Sequence, residues 1–303
     1  MSAQLYGVDM FGASMAPRPS GPVAERFLFS PFTVLDAKSG EWMERKRAWL
    51  AVGMKSEVGR NIAPTSCATE WMQRGRSEEG GSIFDPVVCE LAYRWFCPAG
   101  GQVVDPFAGG SVRGIVAAQL GLNYWGCDLR AEQIAANRAQ ADEICTDNVP
   151  TWVCGDSMET LTDAPDADFI FSCPPYGDLE VYSDDPADLS NMEWHTFVAA
   201  YKRIILRAVQ RLKNDRFACF VVGDFRDQKG FYRDFVSTTI RAFEECGARL
   251  YNEAILATSV GSAGMRVTKQ FDASRKMAKT HQNVLVFCKG DPRKAAAACK
   301  AAT

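Results

Sequence analysis

The sequence predicts a doubly wound α/β fold: a mostly parallel sheet of seven strands with helices on both faces, and a small N-terminal extension. Two observations predict it. From residue 82 onward, short apolar runs alternate with segments of helical periodicity. Two of those runs, about sixty residues apart, read as buried strands that break into turns: Val103-Val104-Asp105-Pro106-Phe107-Ala108-Gly109-Gly110-Ser111 and Phe169-Ile170-Phe171-Ser172-Cys173-Pro174-Pro175-Tyr176.

The first helix covers about 85–96, with Val88, Leu91, Ala92 and Trp95 on one face, and a strand follows at 102–105. The helix after Gly110 runs through Ile115 to Leu120 and stops at Gly121, and the next strand, Tyr124 to Cys127, ends at Asp128. That is a βαβ unit. A helix over 131–144, a strand over 151–154 leading to Gly155-Asp156-Ser157, and a strand over 167–172 continue the alternation. An acidic loop from Asp178 to Asp188 precedes a long amphipathic helix at 193–213 and a buried strand at 217–223. A helix near 231–246, a strand near 249–257 and a strand from Asn283 to Cys288 complete the pattern; the last two strands are joined as a hairpin with a long insertion.

The domain organisation follows: residues 1–81 an N-terminal arm or small subdomain, 82–290 the main domain, and 291–303 a flexible, low-complexity tail. Within the arm, residues 1–30 read as irregular, whereas Phe32, Val34, Leu35, Trp42, Trp49, Leu50 and Trp71 supply apolar area for packing on the main fold. Residues 75–81 read as an exposed linker.

At 303 residues and 47% hydrophobic content, the chain can bury one substantial core. It contains no run of eighteen apolar residues and no basic N-terminus followed by an apolar stretch, so a soluble, cytoplasmic protein is expected. Eleven cysteines, an odd number without a Cys-x-x-Cys pair, read as reduced core thiols, and two histidines argue against zinc. The net charge of −3 does not announce a nucleic-acid partner, but two local basic clusters exist. One is Arg45-Lys46-Arg47 with Lys55 and Arg60, which reads first as a solvated face. The other comprises Arg266, Lys269, Arg275, Lys276 and Lys279, interrupted by Asp272, inside the insertion between the last two strands.

Asp105, Gly109, Gly110, Asp128 and Asp156 each lie at or just beyond the C-terminal end of a predicted strand, and in a doubly wound sheet those ends converge on one crevice. The paired glycines suit close approach of a backbone to a nucleotide-like cofactor. Asp128, 23 residues beyond Asp105, is placed to accept from ribose hydroxyls, and Asp156 from an adenine amino group. A dinucleotide-binding domain shares such features but normally shows Gly-x-Gly-x-x-Gly, where this chain has Gly109-Gly110-Ser111-Val112-Arg113-Gly114.

Read in order, the segments resemble a known family. Asp105-Pro106-Phe107-Ala108-Gly109-Gly110 is similar to the S-adenosyl-L-methionine (AdoMet) binding motif of the amino-group DNA methyltransferases, and Cys173-Pro174-Pro175-Tyr176 to their catalytic motif. Ser82-Ile83-Phe84-Asp85-Pro86 resembles the segment that contacts the methionine part of AdoMet, and the 281–287 segment resembles their last core strand. The resemblance covers residues 82–290 and implies a class I AdoMet methyltransferase fold. It implies Phe84, Asp85, Asp105, Phe107, Gly109, Gly110, Asp128, Asp156 and Ser157 as the cofactor site, with Cys173, Pro174, Pro175 and Tyr176 as the catalytic turn. The implied substrate is an exocyclic amine, N6 of adenine or N4 of cytosine, in a DNA base taken out of its stack; RNA is the alternative polymer. The Cys173 side chain and the Pro174 carbonyl would hold the amine, Tyr176 would stack on the base, and neither metal nor covalent intermediate is required.

One departure stands out. Position 173 holds a cysteine where the family has Asp, Asn or Ser, and a thiol is a weak acceptor. Three readings stay open: Ser172 substitutes, although strand alternation points it to the other face; Cys173 is a nucleophile toward C6 of a pyrimidine; or turnover is lost and nucleic-acid binding remains. An AdoMet enzyme acting on protein or a small molecule is a further alternative. The basic cluster at 266–279 is the expected backbone contact, on the side of the sheet where substrate would lie.

Overall fold

The computed structural model describes residues 22–55, 83–177, 183, 185–258 and 263–300. Arg60, Trp71, the 75–81 linker, Ser82, residues 178–182 and 184 of the acidic loop, and the side chain of Arg266 lie outside the described residues. In chain order the elements are α1 (Pro22–Phe27), β1 (Val34–Asp36), α2 (Gly40–Ala51), α3 (Pro86–Phe96), β2 (Gln102–Asp105), α4 (Val112–Gln119), β3 (Asn123–Asp128), α5 (Ala131–Ile144), β4 (Thr151–Cys154), α6 (Ser157–Thr160) and β5 (Ala167–Ser172). Then follow α7 (Trp194–Arg211), β6 (Leu212–Val222), α8 (Phe235–Glu245), β7 (Ala248–Ala257), α9 (Ala263–Ser274), β8 (His281–Lys289) and α10 (Pro292–Lys300).

Among the described residues the sheet has eight strands in the order β1-β7-β8-β6-β5-β2-β3-β4. All neighbouring pairs are parallel except those of β8, which runs antiparallel to both β6 and β7. The chain leaves β2 towards β3 and β4 and returns on the other side of β2 with β5, so a crevice opens beyond the C-terminal ends of β2 and β5. Alternation along each strand divides the core into two layers. Phe169 and Phe171 of β5, with Phe217, Cys219 and Val221 of β6, face the layer of α3 and α4; Ile170, Ala218, Phe220 and Val222 face the layer of α7 and α8. Both layers are aromatic: Phe243 of α8 stacks on Phe287 of β8 at 4.0 Å, and Tyr93 of α3 meets Phe171 edge-on at 5.3 Å.

The doubly wound fold is as the sequence predicts, with four differences. Residues 22–27, within the stretch expected to be irregular, form helix α1. An eighth strand, β1, comes from the arm and pairs parallel with β7; three residues with one buried side chain, Leu35, are too short to leave a periodic signal. The tail is not frayed at its start, because α10 packs Ala295 and Cys299 into the first core layer. Asp291 accepts the Arg293 N–H at 2.8 Å as a cap, Pro292 suits the first helical turn, and an alanine run has the highest helix propensity, so local chemistry outweighs low complexity. Helix α8 begins only at Phe235, since residues 226–232 fold back into a turn closed by an antiparallel bridge between Arg226 and Tyr232.

The arm is joined to the domain by charge as well as apolar surface. Glu90 on α3 is fully buried, and its two oxygens accept from Arg45 Nε and Nη2 at 2.5 Å each, from Trp49 Nε1 at 2.7 Å and from Arg94 Nε at 3.1 Å. Four donors converge on one carboxylate, and removing its charge leaves the buried Arg45 guanidinium without its counter-charge. Glu90→Gln should therefore cost about 3–5 kcal/mol of stability. Glu245→Gln, which breaks the exposed Lys202 pair, should cost about 1 kcal/mol or less. Urea unfolding of both variants checks the contrast; equal midpoints would contradict it.

Candidate functional site

A cavity of about 570 Å³ occupies the crevice at the switch point. Its wall includes the glycine turn (Pro106, Phe107, Gly109, Gly110), the end of β3 (Asp128), the start of α6 (Asp156, Ser157), Phe84 and Asp85 before α3, and the whole Cys173-Pro174-Pro175-Tyr176 turn. Five separated segments singled out in the sequence thus meet around one space.

Asp105 is the exception. It is fully buried and lies beneath the cavity rather than in its wall. Its Oδ1 accepts from the Ser172 hydroxyl at 2.5 Å and the Phe107 N–H at 3.1 Å; its Oδ2 accepts from Arg113 Nε at 2.6 Å and the Tyr124 hydroxyl at 2.7 Å. A carboxylate with four donors has no capacity left for a ligand, so its expected cofactor contact is replaced by a structural role. Arg113 extends the network by donating to the carbonyls of Phe107 and Ala108 and lies 4.9 Å from the Phe84 ring centre. The Asp105 carboxylate beside it holds the Arg113 guanidinium protonated far above any accessible pH, outweighing burial. Ser172, engaged with Asp105 and fully buried, is not available as a substitute for Cys173.

The glycine turn is set from the other side by α5. Arg130 donates to Gln133 at 2.8 Å, Gln133 to Asn137 at 2.9 Å, and Asn137 to the Gly109 carbonyl at 2.7 Å. Gly109 has φ +50°, and a side chain at Gly110 would meet nothing within 4 Å, so the turn leaves open space at the crevice. Asp128 Oδ2 accepts the Gly109 N–H at 3.0 Å and its Oδ1 accepts the Arg130 N–H at 2.9 Å, which leaves lone pairs on both oxygens for hydroxyl donors. Burial pushes the Asp128 carboxyl above the ordinary aspartate value, against the lowering effect of those N–H groups and Arg130. Asp156 caps α6 through the Met158 N–H, and the Ser157 hydroxyl donates to the Pro106 carbonyl at 2.6 Å, bracing the turn from a third direction.

At the Cys173-Pro174-Pro175-Tyr176 turn, the Tyr176 ring packs edge-on against Phe225 and Phe235 with centroid distances of 6.2 and 5.9 Å, and its hydroxyl accepts from Gln282 Nε2 at 2.7 Å. Cys173 is half-buried and in the cavity wall.

The basic cluster is divided. Lys269 and Arg275 are exposed, and Arg275 lies 5.2 Å from the Phe271 ring centre and 3.8 Å from Asp272. Lys276 and Lys279 instead lie half-buried against the turns that follow β6: a Cβ at Gly230 would be 2.5 Å from Lys276 Cε, and one at Gly223 3.3 Å from Lys279 Cε. Burial lowers the Lys279 ammonium, partly offset by Asp224. Residues the sequence reading left aside also enter the wall: Arg113, Gln133 and Gln282, and Lys46 and Lys55 of the arm. Lys46 Nζ is 3.1 Å from Asp85 Oδ2, which also accepts from Trp42 Nε1 at 3.2 Å, so one flank of the arm's basic cluster faces the cavity instead of solvent. Only the i, i+4 spacing of Trp42 and Lys46 on α2 hinted at that shared face.

No protein-family model matches the chain, and no curated protein matches its sequence. Among solved structures, it is similar to a putative RNA methyltransferase from Pyrococcus horikoshii, at 14% identity and a TM-score of 0.49, over 82% of this chain and 100% of that one. It is similar to TrmN from Thermus thermophilus at 14% identity and 0.46, over 68% of this chain, and spans 49% of that protein. A TehB-like AdoMet-dependent methyltransferase from Corynebacterium glutamicum gives 17% and 0.41, over 69% and 90%.

Two aspartates at adjacent strand ends should behave differently. Asp105→Asn, which leaves Arg113 without its counter-charge, should lose about 3–5 kcal/mol of stability. Asp128→Asn should fold within about 1 kcal/mol of the parent. Urea unfolding checks this, and equal losses would contradict the assignment.

Proposed function

We propose that the chain is an AdoMet-dependent methyltransferase that modifies an exocyclic amino group of a nucleic-acid base, with DNA as the preferred polymer. The observation that carries this reading is the convergence of the glycine turn, Asp128, Asp156 and the complete Cys173-Pro174-Pro175-Tyr176 turn on one switch-point cavity.

The residues fit the cofactor. The cavity volume lies in the range of small-molecule sites, Gly110 leaves room for close approach, and Asp128 has acceptor capacity for a ribose. Phe107, Gly109, Asp128, Asp156 and Ser157 would hold the nucleoside part, and Phe84, Asp85, Lys46 and Lys55 are available to the charged amino-acid part. When bound, AdoMet supplies an electrophilic methyl group on a sulfonium. The protein's share is placement: Cys173 and the Pro174 carbonyl fix the amine nitrogen, and Tyr176, braced by Gln282 and two phenylalanines, offers a ring face of fixed orientation to the base. Lys269, Arg275, Lys276 and Lys279, with Arg266, would hold the polymer backbone.

Charge at Asp128 gives the reading a pH signature. Because its carboxyl is raised, the acceptor form is lost as pH falls through a value above the ordinary one, and affinity for S-adenosylhomocysteine should fall with it. The same raised value places any contribution to folding at low pH, lost as pH rises through it, so acid should weaken binding without weakening the fold through this residue. Calorimetric titration at a series of pH values falling from 7.5 should show affinity lost at a higher pH than an ordinary aspartate would give in the parent, and a flat profile, from a base about tenfold weaker, in Asp128→Asn; an identical profile in both would contradict it.

A second reading rests on one observation: the Cys173 thiol lines the cavity, as a nucleophile toward pyrimidine C6 would. Mass spectrometry of nucleosides from mixed-sequence DNA, and separately RNA, after incubation with isotopically labelled AdoMet decides among them. N6-methyladenine or N4-methylcytosine is expected, with activity retained or raised in Cys173→Ser. C5 label, abolished by Cys173→Ser, would favour the nucleophile. No label on either polymer, with S-adenosylhomocysteine bound, would overturn base methylation in favour of a binding role or another acceptor.

A further inference from the structure

Between β6 and α8 the chain forms a small, closely braced finger. Its root, Phe225, is buried, packs on Tyr176, and lies 5.7 and 5.8 Å from the ring centres of Trp194 and Phe235. From that root residues 226–232 turn back on themselves. The Asp227 N–H donates to the Phe231 carbonyl at 2.8 Å, the Phe231 N–H to the Asp227 carboxylate at 2.9 Å, and the Gly230 N–H to the Asp227 carbonyl at 2.9 Å. Arg226 Nη1 donates to the Gly230 carbonyl at 2.8 Å, and its guanidinium carbon stands 4.0 Å over the Tyr232 ring.

This bracing presents apolar rings to water. Phe231 is 71% exposed and Tyr232 48%, whereas Phe225, six residues earlier, is 6% exposed. Lys229 is exposed at the tip, and Lys276, reaching from the end of α9, packs on Gly230. Beside Lys276 in sequence, Arg275 and Met277 are exposed, and Arg275 lies over the exposed Phe271 ring. Aromatic faces interleaved with cations, continuous through Phe225 with the tyrosine of the catalytic turn, match a strand that offers both bases and phosphates. Cations outnumber acids here: Arg226, Lys229, Lys269, Arg275, Lys276 and Lys279 against Asp224, Asp227 and Asp272.

We propose that residues 226–232 form a nucleic-acid finger, on which Phe231 and Tyr232 stack an unpaired base next to the one delivered to Tyr176 while Lys229 and Lys276 meet the flanking phosphates. The proposal rests on the reading of the cavity as a base-methylation site and adds the surface that guides the strand into it.

The test is fluorescence anisotropy of a labelled mixed-sequence single-stranded oligonucleotide and its duplex, with the full chain loaded with S-adenosylhomocysteine. Phe231→Ala and Tyr232→Ala should each weaken single-strand binding about tenfold, the scale of one stacked base. Lys229→Gln should reduce the slope of affinity against salt by about one. Phe32→Ala removes an equally exposed phenylalanine, 71%, from the arm, and should leave binding unchanged. S-adenosylhomocysteine affinity should be the same in all variants, showing that the fold and cavity are intact. If the parent binds the oligonucleotide and Phe231→Ala and Tyr232→Ala bind it as tightly, the finger is overturned while base methylation stands. If the finger variants lose binding but labelled nucleosides never appear, the finger stands and base methylation fails. If the parent binds neither single strand nor duplex, both fall.

Discussion

The buried ion pair between Asp105 and Arg113 is the constraint on which the rest of the site depends. A carboxylate out of water is stable only when its lone pairs are filled, and here the fillers come from the segment after β2, the end of β5, strand β3 and helix α4. Satisfying one charge therefore fixes the relative positions of the glycine turn and the strand that carries Cys173. Arg113 adds the carbonyls of Phe107 and Ala108, so the turn cannot drift from the sheet without exposing two buried charges. Gly126 is part of the same arrangement: a Cβ there would come within 2.7 Å of the Tyr124 hydroxyl that bonds Asp105.

A second buried carboxylate, Glu90, does for the arm what Asp105 does for the crevice. By gathering Arg45, Trp49 and Arg94 it locks α2 against α3, and α2 then carries Trp42 and Lys46 to the side chain of Asp85. The arm thereby becomes part of the cavity wall. Its basic residues divide by helix face: Arg45 turns inward to Glu90, Lys46 turns to the cavity, and Arg47 is exposed.

Most of the fold was legible because each strand buried on both faces is a dense apolar run and each helix shows its own period. The strands at 102–105, 151–154 and 167–172 and the helix at 131–144 occur with the bounds that the pattern predicts. What could not be read were elements whose stability comes from elsewhere. β1 exists because β7 offers it an edge, and the 226–232 turn interrupts a helical pattern because Asp227 captures backbone N–H groups that a helix start would leave open. At the site, the turn residues were visible from their chemistry. Asp105 reads as a ligand because a sequence shows that an acid ends a strand but not whether its lone pairs are already taken, and Arg113 is inconspicuous because its partner is eight residues away across a turn.

In the proposed arrangement one crevice holds both the cofactor and the Cys173–Tyr176 turn. A crystal structure of the protein with S-adenosylhomocysteine is the first experiment. The ribose hydroxyls are expected on Asp128, the adenine beside Asp156, and the sulfur facing the Cys173-Pro174-Pro175-Tyr176 turn. A nucleoside bound elsewhere, such as the separate apolar cavity between α3, β7 and α10, or one whose sulfur points away from Tyr176, would contradict it.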